Sequence, residues 1–402
     1  MSAELKTVPQ DGLFAGLKVQ PADTLLAVML ECRADPRPHK IDLTVGMYKT
    51  ADGATPVMRC VKAAEKWLVE NQETKGYLSP EGDFAFVELL KPLIFKGALQ
   101  KDSRVVGAQT PGGTGAIRLA GDLVTASGRD CTVWLGLPTW GNYRPLLSAS
   151  RLKVETYTSF DVATQTHKFD EVMGALGRAR SGDIIVLQAS CNNPTGVSFT
   201  AAEWSQIART LSARGLIPLL DVAYQGLGKG FEEDVAGVQT VLAQVEEALI
   251  AYSCDKNFGV YRDRVGAMYA VTKSAAAAQT VFSNVVSLAR ANWSMPSDHG
   301  AAVVRHVLET PVLRADWLAE VESMRLRVNE NRQRLARTHA RFAAVGTQEG
   351  MFSLLNLDAA AIARLKSEHA VYMAGTGRIN VAGFRGDDIE RFAAAVLAVS
   401  PT

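Results

Sequence analysis

The chain has 402 residues, more than one small core can hold and enough for two domains. Hydrophobic residues make up 47% and charged residues 21%, the balance of a soluble globular protein. Lys plus Arg number 43 against 42 Asp plus Glu, a formal charge of +1, which argues against a polyanion-binding surface as the main function.

In chain order, residues 1–20 carry two glycines and a proline among alternating polar and apolar positions, and read as an N-terminal arm. Asp23 to Arg33 places Leu25, Leu26, Met29 and Leu30 at helical spacing, with Asp23 or Thr24 as its cap. A short strand is expected over Ile41–Val45, ending at Gly46, and a helix over Thr55–Val69, opened by Thr-Pro. From Val105 onward, seven short apolar runs alternate with helix-length segments: Val105–Ala108, Cys131–Leu135, Leu152–Tyr157, Ile184–Ala189, Leu216–Leu220, Ala248–Ser253 and Gly266–Val271. Several lack alternation, as strands covered on both faces do. Amphipathic stretches such as Thr114–Val124 and Ala201–Ala213 lie between them. This pattern predicts an α/β fold, a three-layer α/β/α large domain around a seven-stranded, mostly parallel sheet.

Past Val271 the segments Ser274–Arg290, Asp298–Leu308 and the Arg-rich Trp317–Phe342 read as helices. Met351–Leu357 and Arg378–Val381 read as strands of a smaller α+β domain, closed by a helix over Asp387–Val399. The predicted division is an arm at 1–20, a small domain at 21–54 and 316–402, and a large domain at 55–315. Five scattered cysteines without a C-x-x-C pair suit buried thiols in a reducing compartment. Met1 to Gln20 lacks a long apolar run, and no stretch reaches the roughly 18 residues of a membrane helix. A cytoplasmic protein with no membrane or nucleic-acid partner and no metal is expected.

Chemistry-bearing residues cluster at the strand ends, where open α/β sheets place their sites. Lys256 lies just past the run Ala248–Ser253, and a desolvated lysine becomes a nucleophile or Schiff-base former. Pro111-Gly112-Gly113-Thr114-Gly115 opens a helix, a setting that suits a phosphate, although no Gly-Lys-Ser/Thr follows to make a P-loop. Ser253 and Arg264 suit the same anion. Asp221 closes Leu216–Leu220, where it serves either as a helix cap or as a site carboxylate, with Tyr224 three residues on. Asn192-Asn193-Pro194-Thr195-Gly196 follows the run that ends at Ala189.

Together these motifs resemble the class I aminotransferases of pyridoxal-phosphate fold type I, in the aspartate and aromatic amino-acid group. The likeness includes Pro-Gly-Gly-Thr-Gly-Ala at 111–116, Asn-Asn-Pro-Thr-Gly at 192–196 and Asp-Val-Ala-Tyr-Gln-Gly at 221–226. It continues through Lys-Asn-Phe-Gly-Val-Tyr-Arg-Asp-Arg-Val-Gly at 256–266 and Gly-Arg-Ile-Asn-Val-Ala-Gly at 377–383, in the family's order. The resemblance implies pyridoxal 5'-phosphate as cofactor, with Lys256 condensing with its aldehyde and then moving the proton at Cα. It gives Asp221 to the ring nitrogen, Tyr224 and Asn193 to the ring's phenolic oxygen, and Trp140 to a stacking position. Gly113, Thr114, Ser253 and Arg264 would hold the phosphate, joined by Tyr77 from a neighbouring subunit of a homodimer. Arg378 would take the substrate α-carboxylate, Arg290 a distal carboxylate across the dimer, and Gly46 would lie in a mobile covering segment.

The expected activity is an aromatic amino-acid aminotransferase moving the amino group of Tyr or Phe, and of Asp or Glu, to 2-oxoglutarate by ping-pong kinetics. The alternative is an aspartate aminotransferase with minor aromatic activity. A nicotinamide-dependent oxidoreductase would need a G-x-G-x-x-G after an early strand, and none is found. Three positions depart from the family pattern. Asp255 stands where Ser is usual, Asn192 where His is usual, and Trp140-Gly141-Asn142-Tyr143 replaces Trp-Pro-Asn-His. We expect the Tyr143 hydroxyl and the Asn192 amide to rebuild hydrogen bonding to Asp221. Asp255 either points inward, where its charge would raise the Lys256 pKa, or caps the turn or faces solvent, which is the favoured expectation.

Overall fold

The computed structural model describes residues 12–20 and 24–400. Residues 1–11 of the expected arm and the Asp23 cap lie outside them. Seven strands form the central sheet: β1 Val105–Pro111, β2 Thr132–Leu137, β3 Lys153–Thr158, β4 Ile184–Gln188, β5 Ile217–Val222, β6 Ala248–Ser253 and β7 Val265–Val271. Their spatial order is β1-β7-β6-β5-β4-β2-β3. The pairs from β6 through β3 are parallel, and β7 runs antiparallel to both β1 and β6.

The missing alternation has a direct structural cause. Every residue of β6 and β7 is buried, so both faces select apolar side chains. Successive side chains go to opposite layers. Leu219, Leu249, Ala251 and Met268 pack with Ala116, Ile117, Leu119 and Ala120 of the helix Gly112–Ala126. Leu220, Ile250, Tyr252 and Tyr269 face the other layer, with Val304 and Trp317.

A second core gathers Ile41, Leu43, Leu335, Phe342, Ile379 and Phe392 with their neighbours. It holds two small sheets, Ile41–Asp42 parallel to Val371–Tyr372, and Phe352–Leu354 antiparallel to Arg378–Asn380. The helix Pro311–Thr338 joins the two cores. Trp317, Val321, Met324 and Val328 enter the first, and Leu335 enters the second.

Three expected boundaries are corrected. The strand from Ile41 stops at Asp42, because Asp42 Oδ1 takes the Thr44 amide and hydroxyl and turns the chain. The helix expected from Thr55 begins at Arg59. Thr55 precedes a proline, which disfavours helical backbone there, and Glu320 accepts the Arg59 and Cys60 amides at 3.1 and 3.4 Å. The long helix starts at Pro311 and ends at Thr338, and the expected Phe342 falls in a following 3-10 turn, Ala340–Thr347.

Candidate active site

The parallel strands deliver their carboxyl ends to one region. Gln188 ends β4 in register with Asp221 of β5, and Ser253 ends β6 opposite Gly266 of β7. Three residues past Ser253 stands Lys256. A cavity of about 290 Å³ opens there, lined by Gly46, Gly113, Thr114, Trp140, Asn193, Asp221, Tyr224, Ser253, Lys256 and Arg264. Ten of the residues singled out in the sequence thus meet around one space.

Asp221 lies deep, 7% exposed, and accepts a hydrogen bond from the Tyr143 hydroxyl. Burial pushes its carboxyl above the usual carboxylate range, while Tyr143 and the charge of Lys256 pull it back. Burial lowers the pKa of Lys256, against the opposing pull of Asp255 and Asp221. The Lys256 Nζ lies 5.5 Å from the centre of the Tyr224 ring. Tyr224 accepts a hydrogen bond from Asn193 Nδ2 at 3.2 Å, and burial raises its phenol pKa. Trp140 meets the Tyr143 ring edge-on, with centroids 5.2 Å apart.

Arg378 is not among the residues that line the cavity but bonds one that is, donating to Asn193 Oδ1 at 3.2 Å and to the Thr44 carbonyl at 3.0 Å. Its guanidinium lies 4.5 Å from the Phe352 ring, and its buried Nε has no partner among the described residues. Such a fork with a spare donor suits a carboxylate ligand. Gly46 is required by a close approach, since a Cβ there would sit 2.4 Å from Phe352 Cζ. Tyr77, 98% exposed, and Arg290, also exposed, are not among the residues that line the cavity.

Two expectations about the departures are corrected. Asn192 does not bond Asp221. Its Oδ1 instead takes the Thr195 hydroxyl at 2.9 Å, within its own turn, so of that pair only Tyr143 reaches the carboxylate. Asp255 does not face solvent but is 4% exposed and accepts a hydrogen bond from Arg264 Nη1, because the guanidinium offers a buried carboxylate the charge partner it needs. Gln188 was missed by sequence reasoning. It lines the cavity and its Oε1 accepts the Asn193 amide at 2.7 Å, fixing the Asn-Pro-Thr-Gly turn. The available signal was a glutamine ending an otherwise apolar strand.

The donor set matches an anionic aromatic aldehyde in size and chemistry. It offers an amine, a buried carboxylate, an aromatic wall, and at another end glycine amides, hydroxyls and a guanidinium. Residues 38–396 match the family model for class I and II aminotransferases. The chain belongs to that family. Among its relatives is a tyrosine aminotransferase of Rhizobium meliloti, 49% identical over 377 residues, covering 93% of this chain and 96% of the relative. An aspartate aminotransferase of Escherichia coli is 38% identical over 395 residues, covering 96% of this chain and all (100%) of the relative. A solved aromatic amino acid aminotransferase with 3-indolebutyric acid superposes with a TM-score of 0.92 at 40% identity, covering 96% of this chain and 100% of that one. A Burkholderia pseudomallei aromatic-amino-acid aminotransferase, covalently bound to pyridoxal phosphate, gives 0.92 at 36% identity over 96% of this chain and 99% of that one.

Proposed function

We propose that this chain is an aromatic amino-acid aminotransferase that uses pyridoxal 5'-phosphate to pass the amino group of tyrosine or phenylalanine, and of aspartate or glutamate, to 2-oxoglutarate. The observation that carries the reading is the meeting of Lys256 and Asp221 in one cavity with an anion-binding end at Gly113, Thr114, Ser253 and Arg264. When bound, pyridoxal phosphate supplies the electron sink that makes loss of the substrate Cα proton feasible.

The chain's own residues do the rest. Lys256, whose pKa burial lowers, would be the amine that holds the cofactor's aldehyde end and would carry the proton to and from the substrate Cα. Asp221 would face the ring nitrogen and favour its protonated form, and the Tyr143 hydroxyl that donates to it would keep the carboxylate oriented and charged. Tyr224 and Asn193 would offer hydrogen bonds to the phenolic oxygen, and Trp140 would supply an aromatic wall for the ring. Arg378 grips the α-carboxylate, its angle fixed by Asn193 and Thr44. The segment at Gly46 and the small domain close over the substrate and expel water.

In a homodimer, exposed Tyr77 and Arg290 serve the neighbouring cavity, Tyr77 at the phosphate and Arg290 at a distal carboxylate. The working division is an arm at 1–20, a small domain at 21–54 and 316–402 and a cofactor domain at 55–315. No helix among the described residues is long and apolar enough to cross a membrane; a cytoplasmic location is part of the proposal. The test is kcat/KM for tyrosine, phenylalanine and aspartate with 2-oxoglutarate. Higher values for the aromatic donors support the reading, and a strong preference for aspartate reverses it.

A further inference from the structure

Asp255 has no task in that account. It adjoins Lys256 at a position where the family pattern carries a neutral serine. Its Oδ2 accepts from Arg264 Nη1 and lies 3.9 Å from Lys256 Nζ. Its Oδ1 is buried without a partner among the described residues. The Asp255 amide meets the Ser253 hydroxyl at 3.3 Å. A Cβ on Gly112 would lie 2.7 Å from Arg264 Nη2 and 3.4 Å from Asp255 Oδ2, so the ion pair is pressed against the glycine loop. The glycine loop, the Ser253 hydroxyl and the Arg264 guanidinium therefore meet at one end of the cavity, and a carboxylate is already seated among them.

We propose that Asp255 is a built-in competitor for the cofactor's phosphate, neutralising Arg264 and making this end of the pocket a weak, readily exchanged anion site. The inference rests on the cofactor reading of the cavity. A guanidinium offers five donors, and Asp255 occupies one while cancelling its charge. An arriving phosphate shares Arg264 with a second anion, and like charges in a partly buried site disfavour one another. Lys256 lies beside the same carboxylate, and Asp221 is the other anion acting on that amine. Serine in place of Asp255 would leave the arginine's charge uncancelled. The consequence is an enzyme whose loading follows the free cofactor concentration closely.

The test uses the full-length apoprotein as wild type, Asp255→Asn and Asp255→Ser, titrated calorimetrically with inorganic phosphate and with pyridoxal 5'-phosphate. Both variants are expected to bind inorganic phosphate at least about tenfold more tightly, and to release pyridoxal phosphate more slowly on dialysis of the holoenzyme. Melting curves without ligand check each fold, and either variant alone suffices if the other does not fold. Unchanged or weaker phosphate binding in the folded variants overturns the inference while leaving the cofactor reading intact. Phosphate and cofactor binding by no form of the chain overturns both.

Discussion

Burial alone would drive the Asp221 carboxyl to keep its proton, and the Tyr143 hydroxyl works against that. A hydrogen bond to an ionised group contributes about 1.5–3 kcal/mol. Tyr143→Phe removes the donor without adding bulk, so kcat should fall roughly tenfold with the fold intact; stopped-flow half-reactions and melting curves would check both halves of that statement. Arg378→Ala removes the fork proposed to grip a carboxylate and leaves Asn193 Oδ1 without its Arg378 donor. Its kcat/KM for every amino donor should fall by roughly a hundredfold or more. Equal losses for tyrosine and aspartate would mark a grip on the shared α-carboxylate; loss for one donor only would contradict it. Residues at this scale were legible where the chemistry demands a particular type at a strand end, as with Lys256, Asp221 and Arg264. Asp255 was misread because its burial depends on Arg264, nine residues away across a turn, and nothing local marks that pairing.

The helix Pro311–Thr338 shows what holds the two cores together. Arg332 is 1% exposed, and its guanidinium donates to the carbonyls of Val345, Glu349, Gly350 and Phe352 and to the Ser353 hydroxyl. Burial lowers its pKa to about 10. The cation thus anchors the strand that carries Phe352, the residue stacked on Arg378. Arg332→Met should cost roughly 3–5 kcal/mol in urea unfolding, since several buried carbonyls lose their donor together. In sequence this arginine looks like any other on an Arg-rich helix, because its partners lie 13 to 21 residues further on, in a 3-10 turn, a loop and a three-residue strand. The strands of the central sheet were legible for the opposite reason: two covered faces leave a continuous apolar run. The two- and three-residue strands around Ile41 and Phe352 carry too few side chains to register a period.

For the molecule as a whole, Asp234 contributes an acid-side signature to the stability profile. Asp234 accepts the amides of Gly226, Gly228 and Lys229, yet burial raises its carboxyl pKa from 3.8 to about 6. The folded state therefore binds the proton more tightly than the unfolded chain. That contribution is fully present below pH 3.8 and is lost as pH rises through about 6, a change of about 3 kcal/mol. Asp234→Asn should flatten this slope in melting temperature against pH, whatever it does to the absolute value. An unchanged slope would assign the titration elsewhere. The proposed function turns on a single covalent link at Lys256. The most direct measurement is borohydride reduction of the holoprotein followed by peptide mapping. The account predicts a stable pyridoxyl adduct on Lys256 that is absent from Lys256→Ala. An adduct on another lysine, or none in the loaded wild type, would contradict it.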